Sequence, residues 1–247
     1  MYFCTVMLTK TRALVLRSLK YGDTKIIVDL LTESEGRVSV IVNIPKSSKG
    51  KLKKQFFQPL TLLEAELDIR PKVQLQKLRD VLLSLPFSTL NTEPRKLSVA
   101  LFLAEFLLNA TRGEHDNPAL FAYVANGLEW FDACRESYAN FHLVFMMRLT
   151  RFVGFYPNTE DYHEGDYFDL QASCFCHAAP LHSDFLQPAD AALIQPLLRM
   201  NYESMHLFRL SHQQRNRVVD IILRYYQLHV PGFTELNSLE VVRDLWG

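Results

Sequence analysis

No apolar run in the chain approaches the roughly 18 residues that a membrane-spanning helix needs, so a transmembrane segment is not expected. The apolar start, residues 1–8, is short and lacks the charged leader of a secretory signal. Met7 offers an alternative start, which would make residues 1–6 a dispensable extension. Cysteine is scarce: Cys4, Cys134, Cys174 and Cys176 are too few and too irregularly spaced for a disulfide framework. A reducing, cytoplasmic setting follows as the expectation. Internal repeats and low-complexity stretches are missing, and no charge of either sign is in excess, with 27 basic against 27 acidic side chains. At 247 residues and 48% hydrophobic, the composition is that of a folded protein with one large core or two ordinary ones.

Catalytic signatures are missing too. Gly50-Lys51 has the end of a phosphate-binding loop, but Pro45 stands where its first glycine belongs and Leu52 where its magnesium-holding hydroxyl belongs. His163-Glu164 is not followed by the second histidine of a metalloprotease helix, and no Gly-x-Ser-x-Gly elbow occurs. The expectation is a binding protein without a cofactor.

What the chain does have is a charge asymmetry hidden by the neutral total. Residues 1–80 carry fifteen Lys/Arg and eight Asp/Glu, whereas residues 81–247 carry twelve and nineteen. A polyanion-binding element joined to a part with other partners is the reading. The basic side concentrates in Lys46, Lys49, Lys51, Lys53 and Lys54, spaced by Ser47, Ser48 and Gly50. Lysines in a pliant loop each neutralise a phosphate and release a counterion without requiring a particular base, which predicts steep salt dependence and weak sequence preference. A merely solvated turn is the plainer alternative. Arg12, Arg17, Lys20, Lys25 and Arg37, from neighbouring segments, weigh against it.

The pattern of residues 12–17, 25–32, 37–44, 57–67 and 74–83 predicts strands, rich in β-branched residues and leucine. Gly22 and Gly36 supply the turns, the second closing a hairpin. Five strands in so short a stretch suit a small barrel, which leaves no open edge. From Pro94 the period becomes helical: Leu97, Ala100, Leu101, Ala104 and Leu108, then Leu120, Phe121, Val124, Leu128 and Phe131 after Asn117-Pro118. Further helices are predicted over residues 138–153, 190–200 and 215–229, the last with Val218, Val219, Ile222, Tyr225 and Tyr226 inward. The fold class is thus α+β: a five-stranded barrel over residues 1–83, then a helical domain over 84–247 with an irregular insert at 157–188.

That insert holds the metal-like residues. Cys174, Cys176, His177 and His182 offer zinc two thiolates and two imidazoles, but the one-residue spacing of the cysteines argues for ordinary buried or incidental thiols. Asp161, Glu164, Asp166 and Asp169 suggest a magnesium-dependent nuclease, against the commoner reading of solvated loop acids. A polybasic membrane-surface adaptor is a third possibility, without an amphipathic anchor to support it.

The run Lys10-Thr-Arg-Ala-Leu-Val-Leu-Arg-Ser-Leu-Lys-Tyr-Gly-Asp23, with residues 26–33, Gly36-Arg37, the lysine loop and Gln58-Pro59-Leu60, resembles the amino-terminal domain of the bacterial recombination mediator family RecO. The likeness continues through residues 223–229 and 239–242. It implies an OB-fold followed by a helical domain, in a non-enzymatic DNA-repair protein that binds single- and double-stranded DNA, anneals strands and works with RecR, and in many organisms RecF. It also implies helping RecA displace single-strand-binding protein. Mapped onto matching positions, the implied DNA contacts are Arg12, Arg17, Lys20, Arg37 and Lys46 through Lys54. Many members carry two Cys-x-x-Cys pairs in the insert. Residues 157–165 here hold no cysteine, so that zinc site is expected to be lost and the insert to rely on Tyr162, Tyr167, Phe168 and Phe185. For an acidic tail of single-strand-binding protein, Arg148/Arg151 or Arg215/Arg217 are the candidate basic patches.

Overall fold

A computed structural model describes residues 7–44 and 54–245. By backbone contacts the chain divides into two compact units: residues 1–132 with 236–239, and residues 133–235 with 240–247.

The first unit is built on a closed barrel of five strands in the order β1-β2-β3-β5-β4, where β1 is Met7–Tyr21, β2 Lys25–Thr32, β3 Gly36–Asn43, β4 Leu62–Ile69 and β5 Leu75–Leu85. All neighbours are antiparallel except β3 and β5, which run parallel, and β1 closes the barrel on β4. That order is the OB-fold. Period-two alternation sends Ala13, Val15, Ile26, Val28, Leu30, Val40, Leu63, Ala65, Leu67 and Val81 inward, and Phe57 plugs the core from a 3-10 turn at Lys54–Phe57. Each fully buried Val, Leu or Phe side chain among them contributes roughly 1.5–3 kcal/mol.

β1 is buried on both faces, with Leu14 and Leu16 covered as well as Ala13 and Val15. Helix α1, Pro94–Ala110, packs on β1, and α2, Pro118–Ala133, completes the unit. The inward stripe of α1 is Val99, Phe102, Leu103, Phe106 and Leu107. Leu97 and Leu101, expected inward, are exposed, because this helix is apolar on more than one face and its neighbours select which face is covered. The linker after the barrel is tied down by Asp132, whose carboxylate accepts the backbone N–H groups of Ser88, Thr89 and Leu90 at 2.7–2.9 Å. Lys96, fully buried, donates to the Thr89 hydroxyl and the Asp132 carbonyl. Gly36 is required twice over: its φ is +61°, and a Cβ there would lie 2.4 Å from the backbone of His115.

The second unit contains α3 (Phe141–Val153), α4 (Pro188–Ala191), α5 (Ile194–Arg199) and α6 (His212–His229). A short α7, Leu239–Asp244, begins in the first unit. Gly154, at φ +89°, stops α3 in the left-handed conformation. The single helix expected over 190–200 is two, since Pro196 has no N–H to offer the carbonyl four residues back, at Ala192. α6 starts earlier than expected, at a capping box in which Ser211 and Gln214 satisfy each other's backbone N–H. The five residues read as inward from the periodicity are buried, and Arg215, Ile221 and Leu223 are buried beside them.

The insert is more regular than expected: β6 (Tyr167–Asp169), β7 (Cys174–Cys176) and β8 (Phe185–Leu186) form a sheet in the order β7-β6-β8. Tyr162 and Phe168 close on Phe175 at 4.6 and 5.0 Å between ring centroids, and Tyr167 on Phe185 at 5.6 Å. The four aromatic residues expected to hold it do so, with Phe175 as their common partner for two of the contacts. Tyr225 fastens it to α6: its hydroxyl donates to the Phe155 carbonyl and accepts from the Ser173 hydroxyl.

Candidate nucleic-acid interface

Strand pairing sorts the basic residues of the barrel into two groups. Arg17 lies directly opposite Asp29, and Asp29 opposite Ser39. The Arg17 guanidinium donates twice to one Asp29 oxygen, and the Ser39 hydroxyl donates to the other. Arg12 grips Glu33 through Nε and Nη2 and lies over the Phe121 ring, 5.2 Å from its centroid. Hydrogen bonding to Arg12 holds the Glu33 carboxyl below the usual carboxylate range. Arg37 is half-buried and donates to the Leu108 carbonyl near the end of α1, and desolvation pushes its pKa down. All three arginines thus make internal contacts, while the side chains of Arg12 and Arg17 remain 37% and 46% exposed. Arg37 differs from the other two in donating a guanidinium N–H to a helix carbonyl rather than to a carboxylate.

The second group is open. Lys20, Lys25 and Lys54 are exposed and line one open cleft of about 730 Å³ with Ser18, Leu19, Gln55 and Gln58. None of the three makes an ion pair among the described residues. Among the described residues, Asp23 is the only acid on its wall. The β1–β2 turn supplies one side of it and the 3-10 turn after Lys54 the other. Ile44 and Lys54, which bracket the lysine loop in the chain, both line it. Lys46, Lys49, Lys51 and Lys53 lie outside the described residues. Tyr21, half-exposed, stands opposite Lys25 in the hairpin register.

Sequence reasoning missed a further cluster. Arg70, Lys72 and Lys77 are exposed at the β4–β5 turn, where Gln76 fixes the backbone by bonding the N–H and carbonyl of Arg70. The Pro71-Lys72 turn between two strands was the available signal.

The other clusters weighed from the sequence do not assemble among the described residues. Cys176 faces the Tyr167 carbonyl, His177 faces Asp166, and His182 faces Asp169, so with Cys174 these residues look to different partners rather than to one ion. Asp166 is buried and accepts the His163 N–H, while Asp161 and Glu164 are exposed, so the nuclease carboxylates do not converge either. The arginines proposed for an acidic tail are engaged: Arg148 with the Met200 carbonyl, Arg151 with Tyr156, Arg215 with Asn140 and the Leu210 carbonyl, and Arg217 with Asp190.

Residues 7–87 match the family described as Recombination protein O N terminal, and residues 91–240 match Recombination protein O C terminal. The chain belongs to the RecO family. It is 48% identical to the DNA repair protein RecO of Phocaeicola vulgatus over 240 residues, covering 97% of this chain and all of that protein. The same identity, over 241 residues, relates it to the DNA repair protein RecO of Bacteroides fragilis. The DNA repair protein RecO of Flavobacterium psychrophilum is 30% identical over 242 residues. RecO membership places the chain in DNA repair and recombination, and no described helix is long and apolar enough to cross a membrane.

Proposed function

We propose that this RecO-family chain is a non-enzymatic recombination mediator of the cytoplasm that binds single- and double-stranded DNA, anneals complementary strands, and acts with RecR to load RecA onto DNA covered by single-strand-binding protein. RecF is a further partner in this reading. Residues 1–83 form the nucleic-acid-binding domain and 84–247 the docking domain. The observation that carries the proposal is the cleft where Lys20, Lys25 and Lys54 are exposed on a small barrel, next in sequence to four more lysines. An annealer must neutralise two phosphate backbones and leave base edges free to pair, and lysines around an open cleft do both.

Annealing of two complementary oligonucleotides coated with single-strand-binding protein, followed with a fluorophore and quencher pair, tests it. The chain accelerates annealing, and Lys20→Ala, Lys25→Ala, Lys54→Ala in combination reduces the rate about tenfold or more at fixed salt. Equal rates for the two proteins would remove the cleft from the mechanism. Adding RecR and RecA to coated single strands should shorten the lag before RecA polymerises only when this chain is present.

A further inference from the structure

The end of the insert sheet brings two imidazoles onto one carboxylate. β6 and β7 pair Tyr167 with Cys176, so the next residues outward, Asp166 and His177, meet across the ladder. His177 Nδ1 lies 2.7 Å from Asp166 Oδ1. His163 arrives from the preceding turn, where its backbone N–H donates to Asp166 Oδ2 at 2.8 Å and its carbonyl accepts the Asp166 N–H at 3.1 Å. Gly165, at φ +94°, allows that turn. His163 Nδ1 is thereby 3.7 Å from Asp166 Oδ2, and the two imidazole centroids are 5.1 Å apart. One nitrogen from each ring and one carboxylate oxygen lie within 4.8 Å of each other.

The geometry points to a site for one divalent transition-metal ion of the zinc type, held by His163, Asp166 and His177, that pins the 163–166 turn to the end of β7. Tetrahedral zinc, with bonds of about 2.0–2.1 Å to nitrogen and oxygen, sets neighbouring donors about 3.3 Å apart. His177 lies 2.7 Å from Oδ1 and His163 3.7 Å from Oδ2, and one donor atom from each of the three residues lies within 4.8 Å of the others, so rotation of the two exposed rings brings the set to that spacing. The side chains divide the work: Asp166 is only 5% exposed and fixed by a backbone donor, whereas His163 and His177 are 66% and 75% exposed and can turn. A ligating carboxylate that is itself hydrogen-bonded is a usual support of such sites. Two nitrogens and one oxygen select zinc, cobalt, nickel or copper over magnesium and calcium, which favour oxygen alone. A simple ion pair needs one imidazole on Asp166, and the turn supplies a second. This set has no thiol, unlike the four-cysteine site that the family resemblance implies, and it replaces the expectation that the insert has lost its metal.

The test is titration of zinc into tag-free, chelator-stripped full-length protein by calorimetry, with cobalt absorption as a second readout. One ion binds per chain, cobalt shows ligand-field bands without a thiolate charge-transfer band, and zinc raises the melting temperature. His163→Gln and His177→Gln each weaken binding about tenfold or more without lowering the metal-free melting temperature, and Cys174→Ser with Cys176→Ser leaves affinity unchanged. Lack of stoichiometric binding in the wild type overturns the assignment. So does a thiolate band in the cobalt spectrum, or affinity retained by both histidine variants.

Discussion

Arg17 and Asp29 face each other across β1 and β2, with Nε and Nη2 of the guanidinium donating to one carboxylate oxygen at 2.9 and 2.7 Å. The carboxylate is nearly buried and the guanidinium half-exposed, so the pair secures the barrel wall more than it offers charge to a ligand. Removing the arginine leaves a desolvated carboxylate with Ser39 alone. Arg17→Ala is therefore expected to lower stability by about 1–2 kcal/mol, discounted for the exposure of the guanidinium. Chemical denaturation measures the loss, and DNA affinity at fixed salt should change less than for Lys20→Ala.

Arg37→Ala should behave likewise, since it removes the donor to the Leu108 carbonyl. A loss of about 1–2 kcal/mol in denaturation, with the salt dependence of DNA binding unaltered, is the expected outcome.

Gly36→Ala meets both an unfavourable φ and the His115 backbone at 2.4 Å, a rigid neighbour that no side-chain rotation relieves. Destabilisation of about 3 kcal/mol or more is expected, read as a large fall in melting temperature or as insoluble expression.

His142 is fully buried in α3, where desolvation first and the charge of Arg215 second push its pKa down to about 3. Because the folded pKa lies below the unfolded one, near 6.5, the stability tied to the neutral ring is present above pH 6.5 and declines as pH falls toward 3. The decline is at most about 1.4 kcal/mol per pH unit. His142→Leu should flatten the acid limb of a denaturation series between pH 6.5 and 4. An unchanged limb would assign acid sensitivity to other groups.

Much of this architecture was legible in residue order. Alternating apolar residues gave the five strands, and Gly22 and Gly36 marked the turns, both with positive φ. Less visible was which apolar face of α1 would be covered, because Leu97 and Val99 both continue helical stripes and only the partner surfaces decide between them. Charge was legible in amount but not in use. Arg12, Arg17 and Arg37 read as surface cations, yet their partners Glu33, Asp29 and the Leu108 carbonyl come from the β2–β3 turn, from β2 and from α1. Hairpin register, one residue opposite one residue, shows that Arg17 is already satisfied, and helix packing shows it for Arg37. The histidine pair on Asp166 was hidden for the same reason, since His177 reaches Asp166 at the end of the β6–β7 ladder and His163 comes from the turn before β6.

The most direct test of the cleft as the phosphate-binding surface is fluorescence anisotropy with a labelled single-stranded oligonucleotide across a salt series. Wild type would be compared with two proteins: one with Lys20, Lys25 and Lys54 as alanine, and one with Lys46, Lys49, Lys51 and Lys53 as alanine. Binding that weakens steeply with salt in wild type, and a slope shallower by about 0.7 for each contacting lysine removed in both variants, is the predicted result. Wild-type slopes retained in both variants, or no binding at low salt, would contradict it.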